Sequence, residues 1–260
     1  MGAVSLPAVA AIGYGLNTGT AIRATGIVVA LASEADTLVS RTAKPDRVTP
    51  LGDGSALWLS GMGPASARRA AEGLADAGAQ ALAVFGVAGA LHPPLRNGTL
   101  LCPARVVDDE GREYVTDASW RTDLVARLAG IDAPLYAEGT LLSVASPLLT
   151  VAAKQAAHQR HAALAVDMES AAVVAVAQAR NLPCVVVRAV VDEANDMIPK
   201  ALNDSVDAWG RPRPFRLIAA LCRHPSVWGE LPRLYSRMQR ATQALRAAAE
   251  AAGPTLGWHR

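Results

Sequence analysis

The sequence predicts a three-layer α/β protein: a mixed, mostly parallel sheet flanked by helices, with a helical extension at its C-terminal end. Three observations carry this. Short apolar segments rich in Val, Leu and Ala recur along the body, as expected of strands buried on both faces. Helical stretches separate them, which implies parallel pairing through crossovers. After Ala201 the pattern changes to longer helical periodicity with an excess of arginine.

Residues 1–22 are rich in Ala and Gly and carry no basic residue before Arg23. A secretory leader opens on positive charge, so this stretch is read as a loose N-terminal extension or a misassigned start. Residues 23–208 form the expected body. Residues 26–31 read as a buried strand and 55–60 as a second, which ends at Gly61-Met-Gly63-Pro64, where proline opens a helix to about residue 78. Residues 81–85 give a third strand, followed by Gly86-Val-Ala-Gly89. Strands are also expected over 100–107 and 140–144. Residues 163–166 lead directly into a helix over 169–181, and the β-branched run 183–191 is the clearest strand of all. Ligands of such sheets gather beyond the carboxyl ends of the strands. In the extension, 209–260, Phe215, Ile218 and Cys222 recur at helical spacing, as do Leu231, Leu234, Tyr235, Met238 and Leu245. Two helices packed on the same domain are expected, with Arg233, Arg237 and Arg240 on the polar side.

The 260 residues suffice for a large core, and with 51% apolar and 18% charged residues wholesale disorder is excluded. No apolar run approaches the roughly 18 residues of a membrane span. Cys102, Cys184 and Cys222 show no paired spacing, so neither zinc nor a redox motif is indicated, and a reducing cytoplasm is the expected setting. The one close histidine pair, His158 and His161, fits a surface helix better than a metal site. The net charge of +2 conceals an asymmetry: residues 209–260 hold nine arginines, two glutamates and no lysine, so the body is net acidic. Trp209, Trp228 and Trp258 also lie in that extension.

There is no Walker loop, Gly86-Val-Ala-Gly89 is too short for a dinucleotide fingerprint, and no nucleophile elbow occurs. What the sequence offers is carboxylates where buried strands end: Glu34, Asp167, Glu169 and Asp192. Any one of them could simply cap a helix, since acids favour helix N-termini, and Asp167 is read so. Asp192, after an almost wholly apolar strand, and Glu169, beside Met168 at a strand-to-helix junction, are harder to explain as caps.

Val166-Asp-Met-Glu-Ser-Ala-Ala172 followed by Val187-Arg-Ala-Val-Val-Asp192 resembles the purine nucleoside and uridine phosphorylase superfamily, most closely its methylthioadenosine/S-adenosylhomocysteine nucleosidase branch. Gly26-Ile-Val-Val-Ala-Leu-Ala-Ser-Glu34, Ser60-Gly-Met-Gly63 and Gly86-Val-Ala-Gly-Ala-Leu91 resemble that branch's earlier motifs, in the same order. The extension, with Trp209-Gly-Arg-Pro-Arg-Pro214, is similar instead to the hopanoid-associated phosphorylase subfamily, whose members act on adenosylhopane. The resemblance implies a nucleoside phosphorylase-like fold, a homodimer, no cofactor or metal, and cleavage of the bond between adenine and ribose. Such cleavage leaves positive charge on the sugar and negative charge on the departing base. By resemblance Asp192 is the acid at purine N7 and Glu34 activates the attacking water. Glu169 and Met168 hold the ribose, and Ala88 and Gly89 line the pocket.

Four departures bear on this. Val191 stands where the nucleosidases have a serine that orients the acid, and Val87 where they have another serine. No aromatic residue lies near Pro147, where one would stack on adenine. The phosphate-binding arginines of the true phosphorylases correspond to positions near Glu34 and Val84. Hydrolysis is therefore preferred over phosphorolysis, with inorganic phosphate the alternative co-substrate. A sugar-phosphate enzyme on a Rossmann-like sheet would need a phosphate loop that the sequence lacks, and a non-catalytic nucleoside-binding module would have no use for three carboxylates. For the extension, the acidic body speaks against nucleic acid. Arginines with tryptophans fit peripheral contact with the inner membrane surface, from which a lipid-tailed nucleoside would be drawn.

Overall fold

The computed structural model describes residues 22–199, 204–211, 213 and 229–259. Its centre is β4 (Ala81–Ala90), which continues straight through the Gly86–Gly89 segment that the sequence suggested would follow the strand. β1 (Thr25–Val29), wholly buried, lies parallel to β4 and to β3 (Ser55–Leu59). The edge strand β2 (Val48–Gly52) pairs antiparallel with β3. Asp53-Gly54 joins the two with φ of 47° and 76°, the double left-handed turn that this dipeptide favours. On its other edge β4 runs parallel to β11 (Cys184–Asp192) over almost its whole length.

What makes this sheet useful is a gap. β1 covers one edge of β4 only as far as Val84. β10 (Ala165–Asp167) takes up the same strand antiparallel from Gly89 to Ala90. Between them the backbone of residues 85–88 has no neighbouring strand on that edge. Beyond β10 come β9 (Thr140–Ser143), β6 (Arg105–Asp108) and β7 (Glu113–Val115). β5 (Leu100–Leu101) and β8 (Leu135–Tyr136) extend the sheet past β11. The single strand expected over 100–107 is thus two, β5 and β6, interrupted at Cys102-Pro103-Ala104, where proline can donate no ladder hydrogen bond.

Alternation along the strands divides the core between two faces. Val28, Leu82, Val84 and Val186 pack with α2 (Pro64–Asp76) and α5 (Ser170–Ala179). Ile27, Val29, Ala83 and Val187 pack with α1 (Ala32–Leu38), α3 (Ala118–Leu128) and the long α6 (Leu231–Ala252). α4 (Val151–His161) carries His158 and His161 in its last turn. The sequence patterns did not assign α1, β2, β7, α3 or β8. Their apolar positions are too few for a clear period.

The described part of the extension is packed into the body. α6 buries Ala241, Ala244, Leu245, Ala248 and Ala252, and the four alanines bring its backbone close to the sheet. Beyond it, Thr25 Oγ1 donates to the Thr255 carbonyl at 2.9 Å and Trp120 Nε1 to that of Leu256 at 2.8 Å. Two expectations change. Arg233 and Arg237 are not simply solvated, because both reach Asp196. Tyr235, placed in the apolar stripe, is 68% exposed. Trp209 and Trp258 pack against the second core, and the Trp209 carbonyl accepts the Ala32 amide. Trp228, Phe215, Ile218 and Cys222 lie outside the described residues, as do residues 1–21. Ile22, assigned to the loose extension, is buried and donates to Ala77. Among the described residues no helix is long and apolar enough to cross a membrane.

Leu245→Ala should therefore lower stability by about 2–5 kcal/mol, the usual range for a buried leucine. Denaturant unfolding checks it. A loss below about 1 kcal/mol, typical of surface positions, would mean that α6 is only loosely docked.

Candidate active site

The gap along β4 leaves backbone donors without strand partners, and Glu34 takes one of them. Glu34 lies in the first turn of α1, just after β1 ends. Its Oε1 accepts the Val87 amide at 2.8 Å, and its Oε2 accepts those of Ala30 and Leu31 at 2.9 and 2.8 Å. Burial raises its pKa, while Arg188 and these backbone donors pull it down. The position opposite must be glycine: a Cβ on Gly86 would overlap both the Glu34 carboxylate and the Arg188 guanidinium.

Arg188 is the one charged residue inside β11 and is 1% exposed. Its Nη2 is ion-paired with Asp167 and with Glu169 at 3.2 Å. Asp167 also accepts the Ser170 hydroxyl and the amides of Glu169 and Ser170, so the cap expected of it is present and shares its charge with the arginine. Glu169, at the N-cap of α5, is held from two sides, Oε2 by Arg188 and Oε1 by the Gly63 amide at 2.9 Å. Burial pushes Glu169 up to about 7; Arg188 opposes the rise, and Asp167 and Glu34 add to it.

Asp192 ends β11 just after a register shift against β4 between Val190 and Asp192. A bulge of this kind re-aims the side chain that follows it. Gly89 lies opposite and leaves room for the carboxyl: a Cβ there would stand 3.0 Å from Oδ2 and 3.2 Å from Oδ1. Burial raises the pKa of Asp192, Lys154 and Arg237 lower it, and Asp196 raises it further. The partner of Asp192 is Lys154 of α4, whose ammonium pairs with Oδ2.

These groups converge on a cavity of about 250 Å³. Glu34, Ala88, Gly89, Met168, Glu169 and Asp192, the six residues singled out in the sequence, all line it. Pro147 lines it too, and among the described residues no aromatic side chain does. The rest of the wall is largely apolar, with Leu31, Met62, Val144, Leu148, Ile198 and Met238. Met238 comes from α6, so the extension contributes to the site. Sequence reasoning missed two residues. Arg188 was visible as a lone charge in a buried strand, where a cation requires partners. Lys154 had a fainter signal, as one of only three lysines in a chain that otherwise uses arginine.

The phosphorylase superfamily profile matches residues 26–223. No curated protein matches the chain. Among solved structures, futalosine hydrolase of Helicobacter pylori is 18% identical with a TM-score of 0.62, covering 88% of this chain and 98% of its own. A 5′-methylthioadenosine/S-adenosylhomocysteine nucleosidase of Helicobacter pylori is 17% identical at a TM-score of 0.62, covering 89% and 99%. That of Campylobacter jejuni is 20% identical at 0.59, covering 76% and 95%. At these identities the likeness is one of fold.

Removing Arg188 alone would strand Asp167, Glu169 and Glu34 without their shared cation. Arg188→Met should lose about 3–5 kcal/mol at neutral pH. Burial already holds Glu34 and Glu169 above their ordinary values, and without the arginine that opposes this both would rise further, so stability would be retained at acid pH and lost as pH rises. Unfolding measured across pH tests this, and a loss that does not depend on pH would mean that the cation does not hold the cluster.

Proposed function

The chain belongs to the phosphorylase superfamily, and from that membership we propose that it releases adenine from a 5′-substituted adenosine by hydrolysis of the N-glycosidic bond. It is an enzyme of N-glycosidic cleavage; the base released, the nucleophile, the 5′ substituent and the role of each residue are the parts proposed. The observation that carries the reading is the convergence of Glu34, Glu169 and Asp192 on one cavity whose remaining wall is mostly apolar.

The chemistry follows from where charge develops. As the glycosidic bond lengthens, the base gathers negative charge, which a protonated Asp192 would neutralise at N7. Burial holds that carboxyl above its ordinary range, so it can keep the proton it must give. The ribose becomes cationic, and Glu169, fixed by Arg188 and the Gly63 amide, would offer it negative charge that cannot swing away. Met168 supplies a soft apolar surface beneath the sugar. Glu34 would orient a water molecule and take its proton, the part played by the second carboxylate in inverting glycosidases. Ala88 and Gly89, without bulk, let the nucleoside approach β4. No step calls for a metal or cofactor.

Water is preferred over phosphate because the cations around the cavity are already committed. Among the described residues Lys154 pairs with Asp192, Arg188 with Asp167 and Glu169, and Arg237 with Asp196. A phosphate dianion would need at least one of them released. The 5′ substituent is proposed to be apolar, in the class of a thioether or a hopane-like lipid tail, because the wall includes Val144, Pro147, Leu148, Ile198 and Met238.

Asp192→Asn should reduce adenine release by at least about 100-fold, the lower end of a general-acid contribution, with the fold intact by circular dichroism. Wild-type release should proceed without phosphate. Strict dependence on phosphate, with ribose 1-phosphate as product, would make the enzyme a phosphorylase. Glu169 should be ionised to act, so kcat/KM should fall as pH drops below about 7, and Glu169→Gln should lower kcat more than it weakens binding.

For a lipid-tailed substrate the arginine surplus of residues 209–260 becomes a means of reaching an anionic membrane surface, each charge contributing about 1 kcal/mol near it. Because α6 is built into the core, charge reversal of exposed Arg211, Arg213 and Arg240 is the cleaner test than truncation. Wild-type chain should float with acidic liposomes at low salt and the triple variant should not. Equal flotation of the two would remove membrane contact from the proposal.

A further inference from the structure

Lys154 stands where a lysine is least expected. It is 1% exposed and is the only residue of α4 that is fully buried. It also sits in the first turn of that helix, four residues after the N-cap Thr150, where the helix dipole disfavours a cation. Burial and dipole both work against the charge, so something at this position must compensate. The compensation is specific. The ammonium pairs with Asp192 Oδ2 and donates to the Glu193 carbonyl at 2.8 Å, gripping the carboxyl and the backbone immediately beyond it. Among the described residues no hydrogen bond is made to Asp192 Oδ1, which leaves that oxygen for a ligand in the cavity.

The need for such a grip is visible in the same strand. Val191 precedes Asp192 and has no hydroxyl to hold the carboxyl. The bulge at Val190–Asp192 also frees this end of β11 from regular pairing. Gly89 contributes only space. The groups that face Asp192 are Lys154 from α4, Asp196 from the segment after β11, and Arg237 from α6. Arg237 and Arg233 are both spent on Asp196.

We infer that Lys154 is the positioning residue of the general acid: it binds Asp192 Oδ2 so that Oδ1 presents the proton to the leaving purine, and its charge makes that proton easier to give. The inference rests on Asp192 as the acid. An unheld carboxyl would lose the alignment on which transfer depends, and without the cation a buried carboxyl would be a weaker acid, with a smaller drive to protonate the base.

Lys154→Met and Lys154→Gln, beside Asp192→Asn, test it. In Lys154→Met, kcat should fall about 100-fold, comparable to losing most of an acid's contribution, while KM changes little. The alkaline limb of kcat/KM, where Asp192 loses its proton, should move upward by about one pH unit or more, since an adjacent opposite charge lowers a carboxyl by that much. Lys154→Gln keeps a donor without the charge, so kcat should be partly restored while the limb still moves up. Methylammonium or ethylammonium should recover activity in Lys154→Ala by refilling the site. A Lys154→Met enzyme with wild-type kcat and an unmoved limb would overturn the inference, provided that Asp192→Asn is inactive. An active Asp192→Asn would instead overturn the acid itself. If neither Lys154 variant folds unless Asp192 is also replaced, the pair is a structural ion pair and the inference fails.

Discussion

The charge on Arg188 is the constraint from which the site follows. A guanidinium 1% exposed within an otherwise apolar strand can persist only if carboxylates surround it. Here they come from three separate elements: Glu34 from the first turn of α1, Asp167 from the end of β10, and Glu169 from the start of α5. Each also accepts backbone amides, so the cluster does not depend on Coulomb attraction alone. One buried cation thereby fixes Asp167 and Glu169 relative to β11, the strand that carries Asp192, and draws on the charge of Glu34. The requirement extends to Gly86, since any side chain there would separate the arginine from Glu34.

The sheet makes room for this cluster by stopping short. If β1 ran beside β4 past Val84, or if β10 joined earlier than Gly89, the Val87 amide would be used in a ladder and Glu34 would lose its anchor on β4. The reversal from a parallel neighbour to an antiparallel one creates the crevice, in the manner expected of open α/β sheets. The bulge in β11 acts at the same level, turning Asp192 toward the cavity while Gly89 vacates the space it needs. Chain direction, strand length and two glycines position the chemistry before any catalytic side chain is considered.

Much of this was legible in the sequence, for reasons particular to certain residues. The strands that bear the site, β1, β3, β4 and β11, are buried on both faces and read as apolar runs. Glu34, Glu169 and Asp192 stood out because each interrupts or ends such a run. Other features lacked a local signal. β4 appeared to end at Gly86 because four residues containing two glycines look like a loop, and it is distant pairing, chiefly with β11, that holds them extended. The break at Pro103 was readable from proline chemistry and was passed over. α4 conceals its role because the side chain it buries is a lysine, whereas periodicity looks for apolar ones. The Arg233 and Arg237 contacts with Asp196 bring together residues about forty positions apart, a distance no helical pattern can report.

Those last contacts bear on how the extension and the chemistry are joined. The phosphorylase superfamily profile ends at residue 223, before α6 begins. Yet α6 supplies Met238 to the cavity wall, and its Arg237 binds Asp196 four residues beyond Asp192. The Arg237 carbonyl shares the Asn97 amide with the carbonyls of Val190 and Val191, so α6 is fastened to the β11 bulge itself. A shift of α6 would therefore move one wall of the pocket and disturb Asp192 at once. In an enzyme that uses binding energy from the unreactive part of its substrate to align the reactive part, a helix that touches both the pocket wall and the β11 bulge is well placed to couple the two.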